Sequence, residues 1–372
     1  MIENELIYQM AFADIDGLTL QLGKQLLEVV GDERTFFEMS ERDLVSLVGK
    51  SSRLLTRETR DASLKRAEKE LEFIAATDKL TTVYHTSPCY PRRLLEVDDA
   101  PMMLYAIGDC DMNAPHVVSI VGTRHATAGG VKFCDSFVAE LIELVPDVIV
   151  VSGLAYGIDI AGHRAAVNHG ARTIAVMARG LNRIYPAVHR RDAIEIINHN
   201  GLLLTEYMTG DEMHRSNFLA RNRIIAALSD CTIVVESASH GGSLVTASLA
   251  TSYNRDVMAV PGRVNDEFSR GCNKLIATNR AALLTDAEQF VTAMGWESVN
   301  RKSQGKRRSL FVELTEQEQS VVNYLKSCEE PRRADTIASH LNLPVYQVMS
   351  MLVELDFKGI VSTMPGGRYS VF

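Results

Sequence analysis

Short, continuously apolar runs alternate with helical patterns through the middle of the chain. The clearest are Val117-Val118-Ser119-Ile120-Val121, Val148-Ile149-Val150-Val151 and Thr232-Ile233-Val234-Val235. Runs with no polar alternation suit strands covered on both faces. The pattern predicts strands at 117–121, 147–151, 173–177, 202–205, 231–235 and 257–260, and helices at 130–144, 159–169, 190–199, 217–228, 243–254 and 286–294. Strands alternating with helices imply βαβ units and a buried parallel sheet. The fold class is therefore α/β, with a Rossmann-like parallel sheet as its core.

The flanks read differently. In residues 1–80, Leu6, Met10 and Ala13 recur at helical spacing, as do Leu18, Leu22, Leu26 and Val30. Ile15-Asp16-Gly17-Leu18-Thr19 resembles one hairpin of a helix-hairpin-helix or SAM-like module, although a plain helical packing domain is the preferred reading. Residues 81–111 hold Pro88, Pro91 and Pro101 and read as a connecting stretch into a domain that runs to 296. Residues 297–312 read as a linker in which Arg301–Arg308 carries five basic groups and no acid. Residues 313–372 read as a winged helix: Thr315-x-x-Glu318 is a capping box, a short helix spans 333–341, and Val345, Val348, Leu352 and Leu355 share one face of a third helix. Two strands follow, at 359–363 and 368–372. Glu354 and Asp356 on the third helix, against Lys358 alone, suit a protein contact better than DNA phosphates.

Three glycine-bearing turns follow the clearest strands: Gly122-Thr123-Arg124, Ser152-Gly153-Leu154-Ala155-Tyr156-Gly157-Ile158-Asp159, and Gly241-Gly242-Ser243. Glycine allows an anion close to the backbone, and helix N-termini offer unpaired N–H donors. No Walker loop or G-x-G-x-x-G is present. Arg124 can fork two N–H groups onto a phosphate. Asp159 is expected to cap the next helix, and His163, one turn on, is expected to be buried and hydrogen-bonded, since a third metal ligand is missing. Arg179 and Tyr185, with Arg190 close behind, interleave cations with an aromatic, as single-stranded nucleic-acid sites do. Arg221-Asn222-Arg223, with Arg215 upstream, can hold phosphate while the asparagine bonds base or sugar. Glu206 and Glu236 sit at strand ends and are expected to orient arginines. No catalytic Ser-His-Asp or Cys-His set has local support, so no cofactor, metal or catalytic group is expected.

Bulk composition changes this picture little. The 372 residues are 46% hydrophobic and 23% charged, ordinary for a globular protein. Six scattered cysteines fit a reducing cytosol, and no apolar run is long enough for a membrane span. The net charge of −8 weighs against nucleic acid, but residues 172–223 hold eight arginines against five acids. Screening over about 8–10 Å lets such a local patch decide phosphate binding.

Six ordered motifs carry a resemblance to the DNA-processing protein A family (DprA, also called Smf). They are Val121–Arg124, Ser152–Asp159, Tyr185-Pro186, Arg221–Ala226, Gly242–Ala247 and Val260-Pro261-Gly262. The resemblance implies single-stranded DNA binding without sequence preference, a homodimer, and loading of the recombinase RecA during natural transformation. It carries phosphate or DNA contacts over to Arg124, Arg190, Arg215, Arg221, Asn222 and Arg223; with the glycine turns and the basic-aromatic stretch, the expected DNA-binding set also takes in Gly122, Thr123, Ser152, Gly153, Gly157, Arg179, Tyr185, Gly242 and Ser243. This chain departs from the family pattern in places. Phe218-Leu219 stands for Phe-Pro, and Ala178-Arg179-Gly180-Leu181-Asn182 stands for Gly-Thr-Gly-Leu-Asp, losing an acid and gaining a cation. The rival readings are a Rossmann-like nucleotide hydrolase of the phosphoribohydrolase type using Glu206 or Glu236, and a scaffold whose winged helix binds duplex DNA.

Overall fold

A computed structural model describes residues 2–299, 314–328, 331–358, 360–364 and 368–371. The basic run 301–308 lies outside the described residues. Contacts divide the chain into two units, Met1–Gly295 and Trp296–Phe372.

The first unit opens with five helices: α1 (Ile2–Ala13), α2 (Leu20–Val30), α3 (Glu33–Glu38), α4 (Glu41–Val48) and α5 (Arg57–Ala76). Their starts follow capping chemistry. Thr19, Asp32, Ser40 and Thr56 each accept a backbone N–H of the first turn. Phe12, Phe36 and Phe37 form edge-on ring contacts in their interior. The residues buried there belong to the same hydrophobic cluster as the sheet strands.

Nine strands form one sheet: β1 (Leu80–Tyr84), β2 (Met103–Gly108), β3 (Val117–Val121), β4 (Ile149–Ser152), β5 (Arg172–Val176), β6 (Leu202–Thr205), β7 (Cys231–Val234), β8 (Asp256–Ala259) and β9 (Ala282–Leu283). Their order is β1-β2-β6-β5-β4-β3-β7-β8-β9. Strands β3 to β9 pair in parallel, whereas β1–β2 and β2–β6 are antiparallel. The stretch 81–111 is therefore not a mere connection. It supplies most of β1, all of β2 and the short helix α6 (Arg92–Leu95). Its prolines lie between these elements, not inside them, and Met103–Ala106 is fully buried.

Between the strands run α7 (Ala128–Leu144), α8 (Ile158–His169), α9 (Arg190–Asn198), α10 (Arg215–Leu228), α11 (Gly242–Ser252), α12 (Arg270–Ala277) and α13 (Ala287–Ala293). Helices α7, α8 and α9 pack side by side. Helices α10 and α11 pack on each other against the opposite face, with α10 over β3, β4 and β5. Covered on both sides, β3 and β4 are buried at every position, which accounts for their mainly apolar sequence. From β3 the chain winds outward to β6, then crosses back to β7 on the other side of β3. The carboxyl ends of the strands beside this reversal are where open α/β sheets bind ligands.

The second unit contains helices Glu316–Lys326, Ala334–Leu341 and Val345–Phe357, followed by a hairpin of Val361–Met364 and Arg368–Val371. The Thr315–Glu318 capping box forms on both sides. Val321, Leu325, Ile337, Val348, Leu352 and Leu355 make its separate core. The third helix exposes Val345, Tyr346, Met349 and Val353, and Lys358 at its end is paired with Glu318. That face offers apolar area, and among the described residues the one cation at the end of this helix is paired.

Candidate nucleic-acid interface

A shallow recess opens at the carboxyl edge of β3, β4 and β5. Its lining includes Arg124, Arg179 and Arg221, the aromatics Tyr156, Tyr185 and Phe218, and no carboxylate. Phe218, on the first turns of α10, is the hub. The guanidinium carbon of Arg124 lies 5.5 Å from its ring centroid, and the Tyr185 ring meets it edge-on at 5.5 Å. Tyr185 is 39% exposed and Tyr156 48% exposed. Tyr156 is steadied by His189, whose Nδ1–H donates to the Leu154 carbonyl at 2.8 Å. The Tyr185-Pro186 peptide is cis.

Arg221 is a structural cation within this wall. It is only 3% exposed, and its Nη1 donates to the carbonyls of Gly153 (2.6 Å) and Val176, tying the turn after β4 to the end of β5. A side chain on Gly153 would collide with that guanidinium, so the glycine there serves a close approach by Arg221. Burial pulls the Arg221 pKa down, and the nearby Asp159 charge opposes this; a group so basic remains a cation. Burial likewise raises the Asp159 pKa, against the pull of Arg221 and the backbone N–H groups of Ala155 and Gly153. Asp159 lies one residue inside the first turn of α8, and Gly157 takes the N-cap. The expected capping role is thus corrected: Asp159 braces the preceding loop.

Several backbone amides of the first two turns are engaged internally and so are not open to an anion. Thr123 N–H donates to the Glu236 carbonyl at 2.7 Å, and Ile158 N–H to the Thr123 carbonyl at 3.1 Å. His125 N–H donates to Thr123 Oγ1, and Leu154 N–H to His163 Nε2. Gly122 abuts Ile158, and Gly157, at φ +78°, lets the two turns touch where a side chain would strike the Thr123 carbonyl. Ser152 is buried and donates to the Ile120 carbonyl at 2.6 Å. These residues build the floor; the side chains of Arg124, Arg179, Tyr156, Tyr185 and Phe218 face the opening. Arg179 Nε is buried without a hydrogen-bond partner and so carries unused donor capacity.

Other expected contacts do not join the recess. Arg223 points away to a cleft beside the amino-terminal helices and pairs with Glu206. Alternate residues of a helix cannot share one face, so Arg221 and Arg223 were bound to diverge. Asn222 donates to the Gly242 carbonyl at 3.4 Å, and Ser243 to Ser237 Oγ at 3.0 Å, so the third turn is a helix–helix junction. Arg190 and Arg215 are exposed, outside the lining, and have no ion-pair partner among the described residues. Glu206 holds an arginine as expected. Glu236 instead caps α7 through Thr127, at 2.9 Å to its N–H and 2.5 Å to its hydroxyl. Tyr156 and Phe218 are the residues the sequence reading left off the site. Phe218 was visible only as half of a departed motif.

His163 is buried as expected, with Nδ1 donating to Thr173 Oγ1 at 2.7 Å, which donates on to the Val150 carbonyl. Burial, with Arg221 nearby, holds its pKa down to about 3 against an ordinary 6.5. Unfolded chains take up this proton below about pH 6.5 while the folded one stays neutral, so the contribution is intact above 6.5 and lost as pH falls toward 3. The gap in urea unfolding free energy between the unaltered chain and His163→Asn is expected to narrow from about pH 7 to about pH 4. A gap independent of pH would show that His163 titrates in the fold as it does in the unfolded chain.

The loop leading to Phe218 is anchored from the amino-terminal side. Glu70 on α5 accepts from Thr209 N–H at 2.7 Å and from its hydroxyl at 2.5 Å. Arg66 bridges Asp14 and Asp211, and Asp211 accepts the Met208 N–H at 2.8 Å.

The doubly wound sheet and its cationic, aromatic-lined edge define an α/β protein suited to an anionic ligand with flat rings. The chain matches the family model for DNA recombination-mediator protein A over residues 81–295 and that for the DprA winged helix domain over 311–367. It belongs to the DprA/Smf family. It is 33% identical to Protein Smf of Synechocystis sp. over 313 residues, 76% of this chain and 78% of that protein. It is 39% identical to DNA processing protein DprA of Streptococcus pneumoniae over 203 residues, 55% and 70% of the two chains. The crystal structure of the Streptococcus pneumoniae protein superposes with a TM-score of 0.64 at 32% identity, covering 77% of this chain and 97% of the other. A structure of the Helicobacter pylori DNA processing protein A, described for its single-stranded DNA binding mode, superposes at 0.52 and 29% identity, covering 58% and 95%. Among the described residues, no helix is long and apolar enough to cross a membrane, and no group of three or more His, Cys, Asp or Glu is placed to hold a metal.

Proposed function

We propose that this protein binds single-stranded DNA at the recess, without sequence preference, and acts as a non-enzymatic recombination mediator. In this reading Arg124 and Arg179 hold phosphate while Phe218, Tyr185 and Tyr156 take base faces. The observation that carries it is the convergence of three guanidinium groups and three aromatics with no carboxylate among the lining. Every base has a π-face, so stacking of this kind is indifferent to sequence. The single-stranded DNA binding described for the Helicobacter pylori relative supports the same assignment. Delivery of the strand to a RecA recombinase in natural transformation, in the cytoplasm and by a homodimer, completes the proposal and rests on family membership. Glu206 and Glu236, which a hydrolase would use, lie outside the recess and are bonded to Arg223 and Thr127.

The test is a fluorescence anisotropy titration with single-stranded and duplex oligonucleotides at two salt concentrations. Tight, salt-sensitive binding of the single strand is expected. Phe218→Ala should weaken it by about 1–3 kcal/mol, the range for one stacked base, while leaving the salt dependence unchanged. Equal affinity for the duplex, or an unaffected Phe218→Ala, would count against the stacking platform.

A further inference from the structure

A second concavity begins where the recess ends. It runs between α7 and α8 and shares Arg124 and Tyr156 with the recess. Its floor is made of small residues of α8, Ala161 and Ala165, both buried, and its wall is Val131 of α7, 45% exposed. From Gly157 to Asn168 it follows α8 for about 16 Å. The charges along it are unequal. Asp135 is paired with His169, and Arg164 with Asp192, whereas Arg124 and Lys132 have no ion-pair partner among the described residues.

We propose that this groove is a second subsite for the same polynucleotide, so that the strand leaves the recess past Tyr156 and runs along α8. The inference rests on the recess being a single-stranded DNA site. Three features favour a nucleic acid as occupant. The groove is continuous with the recess through two shared residues. Its available charge is positive, which complements phosphate. Its apolar floor receives base planes, and the small residues let them sit low. Arg124 stands at the junction and holds the phosphate between the two subsites.

The test compares oligo-dT of about 5 and about 15 nucleotides, spanning the usual range of single-strand site sizes. Both are titrated against the full chain and against Val131→Asp and Lys132→Glu. Both substituted side chains are exposed, outside the recess, and on the surface of α7. Lys24→Glu on α2, outside both concavities, controls for net charge. The short oligonucleotide is expected to bind all four proteins alike, and the long one to bind Val131→Asp and Lys132→Glu about tenfold more weakly. Unchanged long-strand affinity overturns the groove, as does an equal loss in Lys24→Glu. Dissociation of a dimer by Val131→Asp in sedimentation, with DNA affinity intact, reassigns the groove to a contact between copies. If the unaltered protein binds neither oligonucleotide, the recess reading itself falls, and the groove with it.

Discussion

Replacing Arg124 by alanine is expected to weaken single-stranded DNA binding by roughly 10- to 100-fold with the fold intact. A hydrogen-bonded charge contributes about 1.5–3 kcal/mol, and each 1.4 kcal/mol is about tenfold in affinity. Arg124 is exposed and lies over Phe218, with no ion-pair partner among the described residues, so its removal leaves no buried group unsatisfied. The salt dependence should flatten by about 0.7 in slope, the value for one lost phosphate on a single strand. Arg124→Lys should recover little, because an ammonium cannot fork onto phosphate and stacks less well on a ring. An anisotropy titration showing native affinity and slope would remove Arg124 from the site.

Arg221→Ala should behave in the opposite way and cost about 3–5 kcal/mol of folding stability, the usual consequence of breaking a buried charge network. The substitution frees the Gly153 and Val176 carbonyls and strands Asp159 in the interior. Urea denaturation should show the loss with no DNA present. Stability near that of the unaltered chain, with lost DNA binding, would make Arg221 a ligand contact in its own right. The two variants together separate an arginine proposed to meet the strand from one that holds up the wall behind it.

The parallel core was legible because β3 and β4 are buried on both faces and so are almost wholly apolar, with Ser119 and Ser152 each hydrogen-bonded to a backbone carbonyl. Strand β2 was missed although Met103–Ile107 is as apolar, because the prolines around it pointed to a connection. Antiparallel edge strands add no βαβ rhythm for the eye to follow. Among site residues, Arg124 and Tyr185 line the recess, but their turns alone left open a paired surface arginine and a packed turn residue. Arg221 and Arg223 could not be placed from their motif, since a motif names neighbours while the helix turns them about 200° apart. The glycine turns looked like anion cradles, yet Thr123, Gly153 and Leu154 give their amides to Glu236, Asp159 and His163. Those partners lie over a hundred residues away for Glu236 and several residues away for Asp159 and His163, and no spacing rule announces them.

The clasp between α5 and the 207–212 loop carries a meaning for how the whole chain works. Met213 and Phe218 stand a few residues beyond Thr209, which hangs from Glu70, and beyond Asp211, which Arg66 secures. The recess lining includes no residue of the amino-terminal helices, but they fix one of its banks. A chain trimmed to the sheet would keep its cations and lose the stiffness that holds the aromatic rings ready. On the proposed reading, affinity for a single strand depends partly on helices outside the recess lining.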